Sequence, residues 1–247
     1  MKTFRKMLKI EGILSIRDMN MVCFAIIMPI IVLVVLGFIY GNKPAFEGAS
    51  YTFIEQSFGA LCTIAISAGG LMGLPILVSD YREKKILKKL MATPISPAMI
   101  LFVHLVIYSL YALISMLSLW IICEIFFEFK IHGSILTFIG GWFLVLISTL
   151  SIGMLVGAVA KNTKRASVIA SALYFPMLIF SGATIPYEVM PDMMQKIANI
   201  MPVTLGIKIL KAGAIGESIG NVVIPIIILA ILTIICIIIA IKNFKWN

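Results

Sequence analysis

Hydrophobic residues dominate six long windows that contain no Asp, Glu, Lys or Arg: Met19 to Asn42, Gln56 to Ser79, Leu90 to Cys123, Gly133 to Ala160, Ala166 to Tyr187 and Ser218 to Ile241. Each is long enough for a helix to cross a hydrocarbon core, which takes about 20 mostly apolar residues, and a charge at the centre of such a helix costs about 2.5 kcal/mol or more. The pattern predicts an all-α integral membrane protein with one transmembrane domain over residues 1–247. Its six spans are expected at 19–42, 56–79, 99–123, 135–160, 166–187 and 218–241. The first window is too long for the apolar part of a cleaved signal peptide, and no small-residue cleavage site follows it.

Between the spans the periodicity changes. In residues 1–18 a helical projection gathers Phe4, Met7, Leu8, Ile10 and Leu14 on one side and Lys2, Arg5, Lys6, Lys9 and Arg17 on the other, predicting a helix that lies on the membrane surface. In the 80–98 loop, Ile86, Leu87, Leu90 and Met91 recur at helical spacing, while Arg82, Lys85, Lys88 and Lys89 supply a polar face. Pro94 ends this short helix and restrains Thr93 to an extended conformation. In the 188–217 region Met193, Ile197, Ile200 and Met201 follow a helical period, with Pro191 at a permitted start and Pro202 limiting the helix.

Composition agrees with the windows. Hydrophobic residues make up 61% of the chain, charged residues only 13%, and the mean hydropathy is +1.11, so a soluble fold would lack the polar surface it needs. The net charge of +9 is read as a topology signal. With the N-terminus inside, 15 of the 20 basic residues fall on the cytoplasmic side, and Lys43, Lys130, Lys196, Lys208 and Lys211 remain outside. Both termini are therefore expected in the cytoplasm. No nucleic-acid partner is read into the charge.

Candidate chemistry is sparse. Cys23, Cys62, Cys123 and Cys236 stand singly and read as packing residues. Two histidines, His104 and His132, are too few for a multi-histidine metal site or an H-E-x-x-H motif. Neither a phosphate-binding P-loop nor a G-x-S-x-G elbow occurs. An intramembrane enzyme would have to use Glu124, Glu128 and His132, which read better as a solvated loop at a span boundary. His104 is the one clear ionisable candidate within a span and reads first as polar packing. With so little to bind a coupling ion, transport would be passive or driven by another polypeptide.

Small residues recur at four-residue spacing: Ala65, Gly69 and Gly73 in the second span, Thr149, Gly153 and Gly157 in the fourth. Such stripes let membrane helices approach closely, within one subunit or across a dimer. Pro29, Pro75 and Pro176 interrupt apolar windows and are expected to kink helices or mark their ends.

The loop Glu83, the short helix Lys84 to Met91, and the turn Thr93-Pro94-Ile95-Ser96 resemble the pattern between the second and third spans of permease subunits of the type-2 ABC exporter family. Lys85-Ile86 replaces a Gly-Thr pair common there, and His104 stands where a basic residue is common. Phe180-Ser181-Gly182, Pro186, the Met190-Pro191 helix start, Met194, Ile197 and the closing Pro202 resemble the family's segment before the last span. Order and spacing extend the resemblance over essentially the whole chain.

The resemblance implies a half-size transmembrane subunit that hydrolyses no ATP itself. It would pair with a second copy or a sister permease and with two copies of an ABC ATPase, which would hold ATP and Mg; no cofactor is expected in this chain. It implies ATPase coupling through Arg82, Glu83, Ile86, Leu87, Leu90, Met91, Thr93 and Pro94. An outer gate would involve Ser181, Gly182, Pro186, Pro191, Met194, Ile197 and Pro202, with helix packing at Gly69, Gly73, Gly153 and Gly157. The expected setting is a prokaryotic plasma membrane, with membrane lipid as a further partner. The apolar interior favours amphipathic or hydrophobic cargo such as drugs, lipids or antimicrobial peptides. A six-span passive channel is the alternative, weakened by the lack of a selectivity filter and of polar residues for a permanent pore.

Overall fold

Helices account for nearly all of the regular structure in the computed structural model, which describes residues 2–17, 19–46, 48–86, 96–181 and 190–243. Among these there is no strand, only an isolated bridge between Pro44 and Thr52. Helix α1 is Lys2–Arg17. Helix α2 joins Met19–Val22, a π-helical Cys23–Ile27 and Met28–Tyr40. Helix α3 runs over Phe53–Glu83, α4 over Pro97–Phe127, α5 over Ile135–Val159 and α6 over Thr163–Ile179. The chain closes with α7 (Asp192–Ala198), α8 (Pro202–Ile215) and α9 (Val223–Asn243).

Among the described residues, five helical stretches are long and apolar enough to cross a membrane: Cys23–Tyr40, Phe53–Glu83, Ala98–Phe127, Ile135–Val159 and Gly220–Asn243. The fifth apolar window carries the shorter α6, whose 17 residues reach about 25 Å at 1.5 Å rise per residue. We call the end carrying α1 and the 160–162 turn proximal, and the end carrying the 41–52 and 128–134 loops distal.

Both long-helix distortions have the same cause. The π-helical turns Cys23–Ile27 and Ala68–Gly73 each lie just ahead of a proline, Pro29 and Pro75. A proline has no N–H and its ring presses on the preceding turn, so one wider turn lets the helix continue around it. Pro176 lies inside α6 near its end.

At the distal end Phe58 packs against Trp120, Phe129 and Phe138, at ring separations of 6.1, 4.6 and 5.5 Å, and joins α3, α4 and α5 into one core. A capping box starts α3: the Thr52 hydroxyl accepts from Glu55 N–H and the Glu55 carboxylate accepts from Thr52 N–H. The same buried carboxylate lies 3.1 Å from His132 Nε2, so His132 is fastened to α3 rather than merely solvated. Glu124 accepts from Trp120 Nε1 at 3.2 Å.

The short helix expected between Pro191 and Pro202 is present as α7, and a second helix follows it. Pro202 opens α8, which turns 92° from α7 and is buried along most of its length. It lies in the distal half of the groove between α3 and α5. A Cβ at Gly206 would meet Val145 at 3.0 Å, one at Gly59 would meet Leu210 at 2.9 Å, and one at Gly213 would meet Phe138 at 2.9 Å. The missing side chains are what let α8 sit so close to its neighbours.

Candidate coupling site

At the proximal end α3 outlasts its apolar window by one turn, Asp80-Tyr81-Arg82-Glu83, and each polar side chain in that turn has a specific partner. Asp80 accepts from Lys84 Nζ at 2.8 Å. Arg82 Nη1 donates to the carbonyls of Ala158 and Ala160, at 3.2 and 2.8 Å. These belong to the last turn of α5 and the residue capping it, where carbonyls lack helical partners and carry the negative end of the helix dipole, so a guanidinium fits both needs.

Glu83 performs the opposite task one residue on. Its Oε2 accepts from the Thr163 hydroxyl at 2.6 Å and from Thr163 N–H at 2.9 Å, at the start of α6, where orphan amides and the positive dipole end favour a carboxylate. Asn162 completes that cap by accepting from Arg165 N–H at 2.9 Å. The last turn of α3 therefore grips both sides of the 160–162 turn. Arg82 and Glu83, expected to face a partner, are engaged within the chain.

The third attachment runs to α1. Tyr81 hydroxyl donates to Glu11 Oε2 at 2.8 Å, and His104 Nε2 of α4 stands 3.6 Å from the same oxygen. The Tyr81 and His104 rings meet edge to face at 5.1 Å. Farther along α1, Ser15 Oγ donates to the Tyr111 hydroxyl at 3.0 Å, and Phe4 lies 5.8 Å from Phe102.

The apolar side expected for the surface helix is thereby divided. Phe4, Met7 and Leu8 pack on α4 and its neighbours, whereas Ile10, Ile13, Leu14 and Ile16 remain exposed. Glu11, Tyr81 and Thr163 were missed in the sequence reading. Only Glu11 left a signal: it is the one acid in residues 1–17 and lies one turn from buried Met7.

Beyond the grip, Lys85 takes a left-handed conformation at φ 54° and Ile86 is half-buried. Leu87, Leu90, Met91, Thr93 and Pro94 lie outside the described residues. Helix α4 resumes with Ser96 as its cap, the hydroxyl accepting from Met99 N–H at 3.2 Å.

The glycine stripes pack inside this one subunit, but not against each other. A Cβ at Gly153 would fall on the Gly70 carbonyl, and one at Gly157 would meet Val78 at 2.9 Å. Gly69 and Gly73 instead leave room for Tyr108, at 3.2 and 2.8 Å from a built Cβ, and Gly73 also for Met21.

At the distal end Ser181 is buried and its hydroxyl donates to Leu178 carbonyl at 2.7 Å; Gly182 and Pro186 lie outside the described residues. Pro191 caps α7, Met194 is half-buried and Ile197 is exposed. Two contacts tie this region together: Thr204 hydroxyl donates to Phe180 carbonyl at 3.3 Å, and Lys208 Nζ donates to Asn199 Oδ1 at 2.5 Å.

The profile for ABC-2 type transporters matches residues 3–215. This chain belongs to the ABC-2 type transporter family. Curated relatives agree: it is 31% identical over 132 residues to the inner membrane transport permease YhhJ of Escherichia coli (strain K12), covering 53% of this chain and 35% of that protein. It is also 24% identical over 153 residues to the probable multidrug ABC transporter permease YbhS of the same strain, covering 60% of this chain and 40% of that protein. The chain thus spans well under half the length of these relatives. It is a multi-pass ABC-2 membrane protein of the permease type.

Proposed function

We propose that this ABC-2 permease chain is the membrane subunit of an ATP-driven exporter, energised by two copies of a separate ABC ATPase that hold ATP and Mg. The observation that carries this reading is the double grip of Arg82 on Ala158 and Ala160 and of Glu83 on Thr163. Force applied to the 84–96 segment, which joins α3 directly to α4, would pass through the grip into α5 and α6 as well. A protein meant only to let solute through has no need to gather four helices around one loop.

In this reading the ATPase docks on the segment around Ile86, Leu87, Leu90 and Met91, and Thr93-Pro94 stiffens the joint. Both termini and that segment face the cytoplasm of a prokaryotic cell. A second permease copy or a sister permease completes the pathway, and the bent α7 and α8 pair with Ser181 serves as the outer gate. The relative named as a probable multidrug permease and the apolar interior support an amphipathic or hydrophobic cargo.

The test is uncoupling. Pro94→Gly and Leu90→Asp should keep membrane insertion and ATP hydrolysis by the assembled complex while removing transport. Transport at the wild-type rate in both variants would refute the lever.

A further inference from the structure

We infer that Glu11 is a positioning residue, a latch that fastens α1 to α3 and α4 and makes the surface helix part of the proximal grip. Three observations converge. Residues 1–17 contain five basic residues and one acid, and that acid points into the bundle instead of toward the charged face. Its Oε2 accepts the Tyr81 hydroxyl at 2.8 Å, while His104 Nε2 lies 3.6 Å away. His104 is 2% exposed, and neither of its ring nitrogens has a hydrogen-bond partner among the described residues.

A buried imidazole with no hydrogen bond is costly in an apolar bundle, and an ionisable group inside a span points to a function shared with the partner that faces it. Glu11 supplies the carboxylate oxygen that faces this ring, 3.6 Å from Nε2. If α1 lifted away, His104 would lose its neighbouring carboxylate, and Tyr81 would lose its acceptor. The polar cost of separation thus falls on all three helices together. Ser15 with Tyr111 and Phe4 with Phe102 align α1 along α4, but Glu11 is the contact that also reaches α3, one residue before Arg82. A displacement of the 84–96 segment would therefore carry α1 with it. That last consequence rests on the transport reading above; the latch itself does not.

Hydrogen exchange read by mass spectrometry tests the latch, on the whole chain with whatever subunits co-purify, in nanodiscs of native lipid. Glu11→Ala and Tyr81→Phe should each speed exchange across residues 2–17 by about tenfold, the effect of losing one hydrogen bond. Exchange in α5 should stay unchanged. Glu11→Gln, whose amide can accept from Tyr81 and donate to His104, should behave as wild type, as should Lys9→Ala on the exposed side. Wild-type exchange of α1 in Tyr81→Phe and Glu11→Ala would overturn the latch, as would a Glu11→Gln variant as fast as Glu11→Ala. In the assembled complex the Ala variant should hydrolyse ATP yet export less per ATP. If no ATPase accompanies the chain, the transport reading fails, and the exchange result still decides the latch.

Discussion

Arg82 Nη1 lies 2.8 Å from the carbonyl oxygen of Ala160, the residue at which α5 ends. A cation from the second span thereby closes the fourth. The pairing uses the free carbonyls every helix leaves at its C-terminus, so it holds the two helices in fixed register through main-chain atoms.

Removing that cation should loosen the bundle. Arg82→Ala is expected to lose about 1.5–3 kcal/mol, the usual worth of hydrogen bonds to a charged group. Arg82→Lys should recover only part of it, because the shorter side chain holds its ammonium farther back from the two carbonyls that Nη1 reaches. Thermal unfolding in detergent checks this, and equal midpoints for wild type and Arg82→Ala would contradict it.

Gly153 provides a test of packing. A Cβ there would fall on the Gly70 carbonyl, so Gly153→Ala should force α3 and α5 apart at a cost of about 1–3 kcal/mol. Gly140, on the same helix, has nothing within 4 Å of a built Cβ, and Gly140→Ala should leave the unfolding midpoint in place. Equal effects of the two would contradict the packing described.

The charge-free windows made the helical class legible, because a hydrocarbon core demands length and apolarity and little else. Arg82 and Glu83 stood out as polar residues beside a span, yet nothing in the sequence announced their partners. A carbonyl such as that of Ala160 exists at every position and carries no side-chain signal. Glu11 was legible in principle as a lone acid on an apolar stripe. Pro202 was ambiguous for a physical reason: a proline follows one helix as readily as it begins the next, and here it stands between α7 and α8. The two glycine stripes were visible as close-approach surfaces, but spacing alone does not say what fills the space, and Tyr108 rather than a helix backbone fills that beside Gly69.

The distal clamp predicts unequal effects of its two partners. Glu55 is buried and serves both the α3 cap and His132, whereas the His132 side chain is 44% exposed. Glu55→Ala should cost about 2 kcal/mol through loss of the cap and of the charged hydrogen bonds, and His132→Ala well under that. Denaturation of the two variants side by side checks the order, and a His132→Ala loss equal to that of Glu55→Ala would contradict it.

Motion of the bent pair can be tested where it is tied. Asn199 and Lys208 are in hydrogen-bond contact between the end of α7 and α8, so cysteines at both positions should be joined by a reducible thiol-to-thiol crosslinker that spans the length of the lysine side chain. If α7 swings from α8 to release substrate, crosslinking should abolish export and reduction should restore it. Full export by the crosslinked protein would remove the outer gate from this place.

The central claim is that an ATPase works through the proximal grip, and it is tested most directly by purifying the tagged chain from native membranes in mild detergent and identifying what accompanies it in stoichiometric amount by mass spectrometry. The account predicts a soluble P-loop ATPase in equal number to the permease subunits, retained but uncoupled from transport when Leu90 is replaced by Asp. Recovery of the chain alone, folded and oligomeric and passing solute in ATP-free liposomes, would contradict it and identify a passive channel.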